Sequence, residues 1–261
     1  MSEENYLLDN QQTQARQRLD ALAELFNPST FRHMQSVGLS PRWRVWEVGT
    51  GGASVPEWIA EQTHGYVLAT DIDTSWLDRE AGGFEVRTHD IGTDPAPDDG
   101  FDLVHARLVL VHVPERVDAL TTMINALKPG GWLLLEEADP ELQPLACPDE
   151  YGAEQRLANK LKIAFRSLMA DRGVDLSFGR KLPRLLRSAG LVNVQADSFF
   201  PMGGPACNEL ERATVEQIRE HLIAADLATE DEIEQHLSNV ATGRLDLATS
   251  PMVSAWARKP E

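Results

Sequence analysis

The residues best suited to chemistry gather in one stretch, Arg44-Val45-Trp46-Glu47-Val48-Gly49-Thr50-Gly51-Gly52-Ala53-Ser54. It reads as a strand, a glycine turn and a helix opened by Ser54, with Glu57 three residues later completing an expected capping box. Glycines let the backbone turn sharply and come close to a ligand, and the helix start beyond them offers unpaired N–H groups. The next apolar run, Tyr66–Thr70, ends in Asp71, 22 residues after Gly49. That is the spacing at which a carboxylate accepts hydrogen bonds from a ribose diol. Asp71 could instead cap the next helix, but Asp73 and Thr74 are better placed to do so. A third carboxylate, Asp90 in His89-Asp90-Ile91, closes a third apolar run.

A nicotinamide or flavin site would share the glycine turn and the carboxylate. The G-x-G-x-x-G fingerprint is not met, however, because Ser54 stands at the third glycine position. Glu47 also sits inside the strand, where dinucleotide folds usually carry an apolar residue. Carboxylates after three successive strands suit a ligand with a cationic end, a ribose and an amine-bearing base. S-adenosylmethionine is such a ligand.

These residues need a scaffold, and the hydrophobic pattern supplies one. Strands are expected at Arg44–Val48, Tyr66–Thr70, Phe84–Thr88, Phe101–Ala106 and Trp132–Glu136. Helices are expected near Val55–Gln62, Thr74–Glu80 and Pro114–Leu127. Strands alternating with single helices imply an α/β fold with a parallel sheet covered on both faces. Residues 5–37 look helical, with Asn27-Pro28-Ser29-Thr30 expected to break the stretch. After Pro140 come helices at about 150–171 and around Leu182–Leu186, a strand Val192–Phe200, helices at about 207–227 and 229–241, and a strand Met252–Arg258. The helical pieces at 1–37, 141–171 and 205–243 fall outside the alternation and read as a cap, or lid, on a core spanning 38–261.

Composition narrows the function. The chain has 261 residues, 42% of them hydrophobic, with 24 basic against 41 acidic residues and a net charge of −17. Such a surface repels polyanions, so nucleic acid is not expected as a partner. No apolar run approaches the ~18 residues that span a bilayer. The polar, acidic start MSEENYLLDNQQ shows no secretory signal, and the expected location is cytoplasmic. Cys147 and Cys207 form neither a disulfide framework nor a metal-ligand spacing.

The run from about 40 to 140 resembles the core of class I S-adenosylmethionine-dependent methyltransferases, in the small-molecule branch related to quinone-biosynthesis enzymes. Val45–Gly52 resembles their first motif and Ala69-Thr70-Asp71-Ile72-Asp73 their second. His89-Asp90-Ile91 matches the adenine-contacting position, Phe101–Arg107 the fourth strand, and Leu127-Lys128-Pro129-Gly130-Gly131-Trp132 the turn into the fifth. Ala53 departs from the third glycine found in many members. The resemblance implies a Rossmann-like seven-stranded sheet of order 3-2-1-4-5-7-6 with the seventh strand antiparallel. It further implies that Gly49 and Gly51 admit the methionine end of the cofactor, with Glu47 organising the loop or reaching the amino group through water. By the same resemblance Asp71 holds the ribose, Ile72 packs on the adenine, Asp90 and the Ile91 N–H meet its edge, and Ala106 and Arg107 lie near the methionine. Tyr6 is a weaker candidate for closing the site.

A sulfonium methyl is already activated, so catalysis needs alignment and exclusion of water rather than a metal. Metal-dependent catechol methyltransferases carry aspartates after strand four; here that position reads His105-Ala106-Arg107, and no metal is expected. One of Glu136, Glu137 and Asp139 is a candidate to face the acceptor, with solvated carboxylates at a strand end as the plain alternative. His112, between strand four and the helix begun by Pro114, is the best single candidate for a general base. The expectation is a methyltransferase acting on an O, N or C atom of a small quinone-like or secondary-metabolite acceptor, possible as a homodimer. A nicotinamide-dependent reductase and a cofactor-binding protein without activity are the alternatives.

Overall fold

The computed structural model describes Leu7, residues 13–75, Leu77 and residues 83–261. The chain falls into two compact units. One comprises Met1–Phe26, Asp139–Ser177 and Phe199–Pro251, the other Asn27–Ala138, Phe178–Ser198 and Met252–Glu261.

The second unit is built on a seven-stranded sheet. Its strands are β1 Val45–Val48, β2 Val67–Asp71, β3 Glu85–Thr88, β4 Phe101–Arg107, β5 Leu127–Ala138, β6 Val192–Phe199 and β7 Met252–Arg258. Their order is β3-β2-β1-β4-β5-β7-β6. β1 pairs in parallel with β2 and β4, β4 with β5, and β7 runs antiparallel to β5. This is the arrangement that the resemblance implies. β1 and β2 are buried throughout and β4 up to its last residue, as strands covered on both faces must be.

Helices α2 Ser54–Thr63, α3 Arg116–Ala126 and α5 Leu182–Ser188 belong to this unit, as does the second half of α1, Thr13–Ser36. Met34 of α1 packs with Val45, Leu103 and Leu134 of the sheet. The other unit contains α4 Ala153–Asp171, α6 Pro205–Ala224 and α7 Glu230–Ala241, held by a core of Leu161, Leu168, Ile218, Leu222 and Ile233. Both cysteines are free and buried there. Among the described residues no helix is long and apolar enough to cross a membrane.

Three local expectations need correction. Pro28 does not break the first helix, which runs through it. The proline forfeits one backbone hydrogen bond, but the turn beyond it buries Thr30, His33 and Met34. The capping box at Ser54 is absent, because the preceding residue Ala53 has helical φ and ψ and makes no side-chain cap. Ser54 Oγ instead accepts from Asn27 Nδ2 at 3.1 Å. A true capping box opens α7, where Thr229 and Glu232 exchange hydrogen bonds. Finally, β5 continues through Glu136 and Glu137 to Ala138, so these acids lie inside a strand rather than at a solvated end. The expected helix Thr74–Glu80 falls largely outside the described residues.

Candidate active site

The glycine turn joins the end of β1 to α2 with Gly49 at φ +62° and Gly51 at φ +59°, both in the left-handed region. Asp71, the last residue of β2, locks onto it: its Oδ2 accepts from the Gly51 N–H at 2.8 Å, and its Oδ1 from the Asp73 N–H at 3.0 Å. Burial raises the Asp71 pKa above the usual aspartate value, against the pull of those two N–H groups. Two expected site residues, Gly51 and Asp71, are thus in direct contact.

A second loop meets the first. Beyond β4, Leu108 is forced to φ +59° and the chain enters a short 3₁₀ turn, Leu110–His112. A left-handed leucine costs roughly 1–2 kcal/mol, and Glu137 holds it in place. Its Oε1 accepts from the Leu110 N–H at 2.7 Å and the Val109 N–H at 3.2 Å. Burial pushes the Glu137 carboxyl up to about 8, so it is largely neutral at pH 7. The loop so pinned lays Val109 directly over Gly49. His112 is half-buried at the end of the same turn, its N–H donating to the Val109 carbonyl at 3.0 Å.

The loop after β3 comes to the same strand ends. The His89 N–H donates to the Asp71 carbonyl at 2.9 Å. Asp90 Oδ1 accepts from the Gly92 N–H at 2.9 Å, which rounds the turn that contains buried Ile91. Ile72, beside Asp71, is 53% exposed, an apolar side chain presented at the edge of the site. Ala106 is fully buried within β4. Arg107 turns away to α1, donating to Thr30 Oγ1 and Asn27 Oδ1 at 3.0 Å each. Tyr6 lies outside the described residues.

A layer of charge that was not anticipated underlies this constellation. Because side chains alternate along a strand, Glu47, His105 and Glu136 share the sheet face covered by α1, whereas Glu137 points to the opposite one. His105 Nδ1 lies 2.6 Å from Glu47 Oε2, and its Nε2 lies 3.3 Å from Glu136 Oε2. Glu136 also receives Thr30 Oγ1, Ser254 Oγ at 2.6 Å and His33 Nδ1 at 3.2 Å. His33 Nε2 then reaches Asp197 of β6 at 3.0 Å. Burial works against a charge on His105, but Glu47 and Glu136 outweigh it and raise the pKa to about 9. Burial likewise opposes ionisation of Glu136, yet hydrogen bonds from His105 and His33 hold it well below the usual glutamate value. The sequence carries one faint signal of this layer: Glu47 and His105 interrupt the otherwise apolar runs Val45–Val48 and Leu103–Ala106, and Glu136 ends the apolar run Trp132–Leu135. Asp139, in the other unit, is fully buried and accepts from the Leu142 N–H.

Among the described residues no group of three His, Cys, Asp or Glu side chains is arranged to hold a metal ion. The residues do fit a nucleoside bearing a cationic tail. An added Cβ at Gly52 would meet nothing within 4 Å, so the turn is open on that side, and carboxylates stand at the ends of β1 and β2 and just past β3.

Residues 46–135 match the family model described as a methyltransferase domain. Phosphoethanolamine N-methyltransferase 1 of Arabidopsis thaliana is 26% identical over 214 residues, 78% of this chain and 39% of that protein. The ubiquinone/menaquinone biosynthesis C-methyltransferase UbiE of Vibrio parahaemolyticus is 32% identical over 123 residues, 42% of this chain and 47% of that protein. The chain spans less than half the length of either relative. Among solved structures, phosphoethanolamine N-methyltransferase 2 of Haemonchus contortus, in complex with phosphomonomethylethanolamine and S-adenosylhomocysteine, aligns with a TM-score of 0.58 at 16% identity, covering 98% of this chain and 60% of that one.

Proposed function

We propose that this chain, whose residues 46–135 match a methyltransferase domain, is a class I S-adenosylmethionine-dependent methyltransferase that moves the sulfonium methyl of that cofactor to an O, N or C atom of a small acceptor. The observation that carries the reading is the closed contact between Gly51 and Asp71 across the ends of β1 and β2. It supports the reading because it holds a carboxylate beside a turn whose glycines leave room for a close ligand. When bound, the cofactor supplies an activated methyl group.

The chain's own residues do the rest. Asp71 holds the ribose hydroxyls, exposed Ile72 offers an apolar face to the base, and Asp90 with the Ile91 N–H reads its edge. Gly49 and Gly51 admit the methionine end, Glu47 meets its amino group, and Ala106 contributes only backbone there. Arg107, committed to Thr30 and Asn27, steadies the end of β4. The pinned loop after β4 excludes water and aligns the acceptor, which supplies most of the rate enhancement available to such a reaction. An O–H or N–H acceptor must lose a proton, and His112 is the group proposed to take it. The acceptor is a small molecule rather than nucleic acid, in keeping with the net charge of −17. A cytoplasmic protein, as a monomer or homodimer, completes the proposal.

Calorimetric titration tests the cofactor: S-adenosylmethionine and S-adenosylhomocysteine should bind at micromolar levels with no response to NADH. Transfer of tritiated methyl across phenols, amines and carboxylates then tests catalysis. Binding without transfer to any of them would leave a cofactor-binding protein and end the enzymatic reading.

A further inference from the structure

In the layer below, Val45 pairs with Leu103 and Leu103 with Trp132, all apolar. Two residues nearer the ligand-binding ends Glu47 pairs with His105, and Glu136 stands on the same face two residues beyond the Leu134 that His105 pairs with; each of the three is no more than 2% exposed. Burying three ionisable groups costs several kcal/mol apiece unless they are paired. Packing alone would therefore keep this layer apolar.

The acids are paired: Glu47 and Glu136 flank His105, Glu136 and Asp197 flank His33, and Asp197 also meets Arg32, in a chain that runs from β1 through β4 and β5 to α1 and β6. Glu136 is held by four side-chain partners, so it is a rigid anchor for His105. His105 in turn takes Glu47 Oε2, which leaves the second oxygen, Oε1, as an acceptor for a ligand amine.

We propose that His105 is a positioning residue, a buried side chain that fixes the Glu47 carboxylate so that its second oxygen faces the amino group at the methionine end of the cofactor. The proposal rests on the reading of Glu47 given above. It makes the first-motif glutamate one end of a braced chain whose other end is Asp197 on β6.

The test compares two probes that share the nucleoside: S-adenosylhomocysteine, which carries the amino-acid end, and 5′-methylthioadenosine, which lacks it. In His105→Asn, affinity for S-adenosylhomocysteine should fall about tenfold or more while methylthioadenosine stays within about threefold. In a Glu47→Gln background the same change should cost S-adenosylhomocysteine no more than about twofold, because its route of action is already cut. Equal losses for both probes would mark His105 as merely structural and overturn the proposal, as would no loss for either. Should His105→Asn fail to fold, Ser254→Ala removes one brace from Glu136 and should produce a smaller loss, about two- to fivefold, again confined to S-adenosylhomocysteine; an unselective effect overturns the idea. If Glu47→Gln leaves the wild-type preference untouched, the reading of Glu47 fails first and takes this proposal with it. If the wild type binds neither probe, the cofactor assignment itself falls.

Discussion

Replacing Gly49 with alanine tests the junction of the two loops most directly. Two separate penalties follow from the structure. The residue sits at φ +62°, where a side chain costs roughly 1–2 kcal/mol. The new Cβ would also stand 2.3 Å from Val109 Cγ2, about 1.1 Å inside ordinary contact, which begins at 3.4 Å. Val109 cannot easily retreat, because its N–H and that of Leu110 are tied to Glu137. Overpacking against so fixed a neighbour costs roughly 1–3 kcal/mol, giving a total of roughly 2–5 kcal/mol. At about 2–4 °C per kcal/mol for a chain of this size, Tm should fall by roughly 4–20 °C, and affinity for S-adenosylhomocysteine should drop with it. Differential scanning fluorimetry and calorimetry measure both. The discriminating variant is Val109→Ala in the Gly49→Ala background: it removes the clash but not the backbone strain, so it should restore about half of the lost Tm. Unchanged Tm in Gly49→Ala, or no recovery in the double variant, would refute the account of how these loops meet.

Asp71→Ala should weaken S-adenosylhomocysteine binding about 10- to 150-fold, since it removes a charged acceptor and frees the Gly51 N–H; unchanged affinity by calorimetry would unseat the ribose assignment. His112→Ala should lower turnover roughly 10²–10⁴-fold and abolish the acidic limb of the pH–rate profile; a change of only a few-fold with the limb intact makes the residue structural. Stability should decline as pH rises from about 5 to 9.5, followed as Tm. Glu137 and His105 both have folded pKa values raised above their unfolded ones, so each contribution is full below the unfolded value and is lost as pH passes the folded value, about 8 for Glu137 and about 9 for His105. Glu137→Gln should flatten the lower part of that decline; a Tm that rises across this range would contradict both assignments.

The glycine turn and its carboxylate Asp71 were legible because they depend on short-range signals, glycines and a fixed spacing. The strand order followed only from the resemblance to class I methyltransferases, since apolar runs place strands without ordering them. The brace under the site was not legible, because it joins Glu47, His105, Glu136, His33 and Asp197 across as many elements, and only strand register brings them together. Glu136 and Glu137 looked like interchangeable acids at a strand end, since no local pattern distinguishes a buried carboxylate from a solvated one. Pro28 and Ser54 misled for the same reason in reverse. A proline in a helix and a serine before one are strong local signals, and tertiary packing overrode the first while the helical backbone of Ala53 removed the second.

Glu136 and Glu137 make the parity of β5 a chemical quantity. Adjacent in sequence, they face opposite sides of the sheet, one an anion gripped by imidazoles and the other a neutral acid that holds a loop. The count that decides which acid goes to which side is set upstream, where β4 advances from Phe101 to Leu103 while β5 advances from Leu127 to Trp132 across Lys128-Pro129-Gly130-Gly131. Inserting or deleting one residue in that turn would exchange the two acids, but their surroundings are not exchangeable: each would arrive among partners built for the opposite charge. Insertions of two residues preserve the parity, so the turn's length is constrained as odd or even more tightly than as long or short.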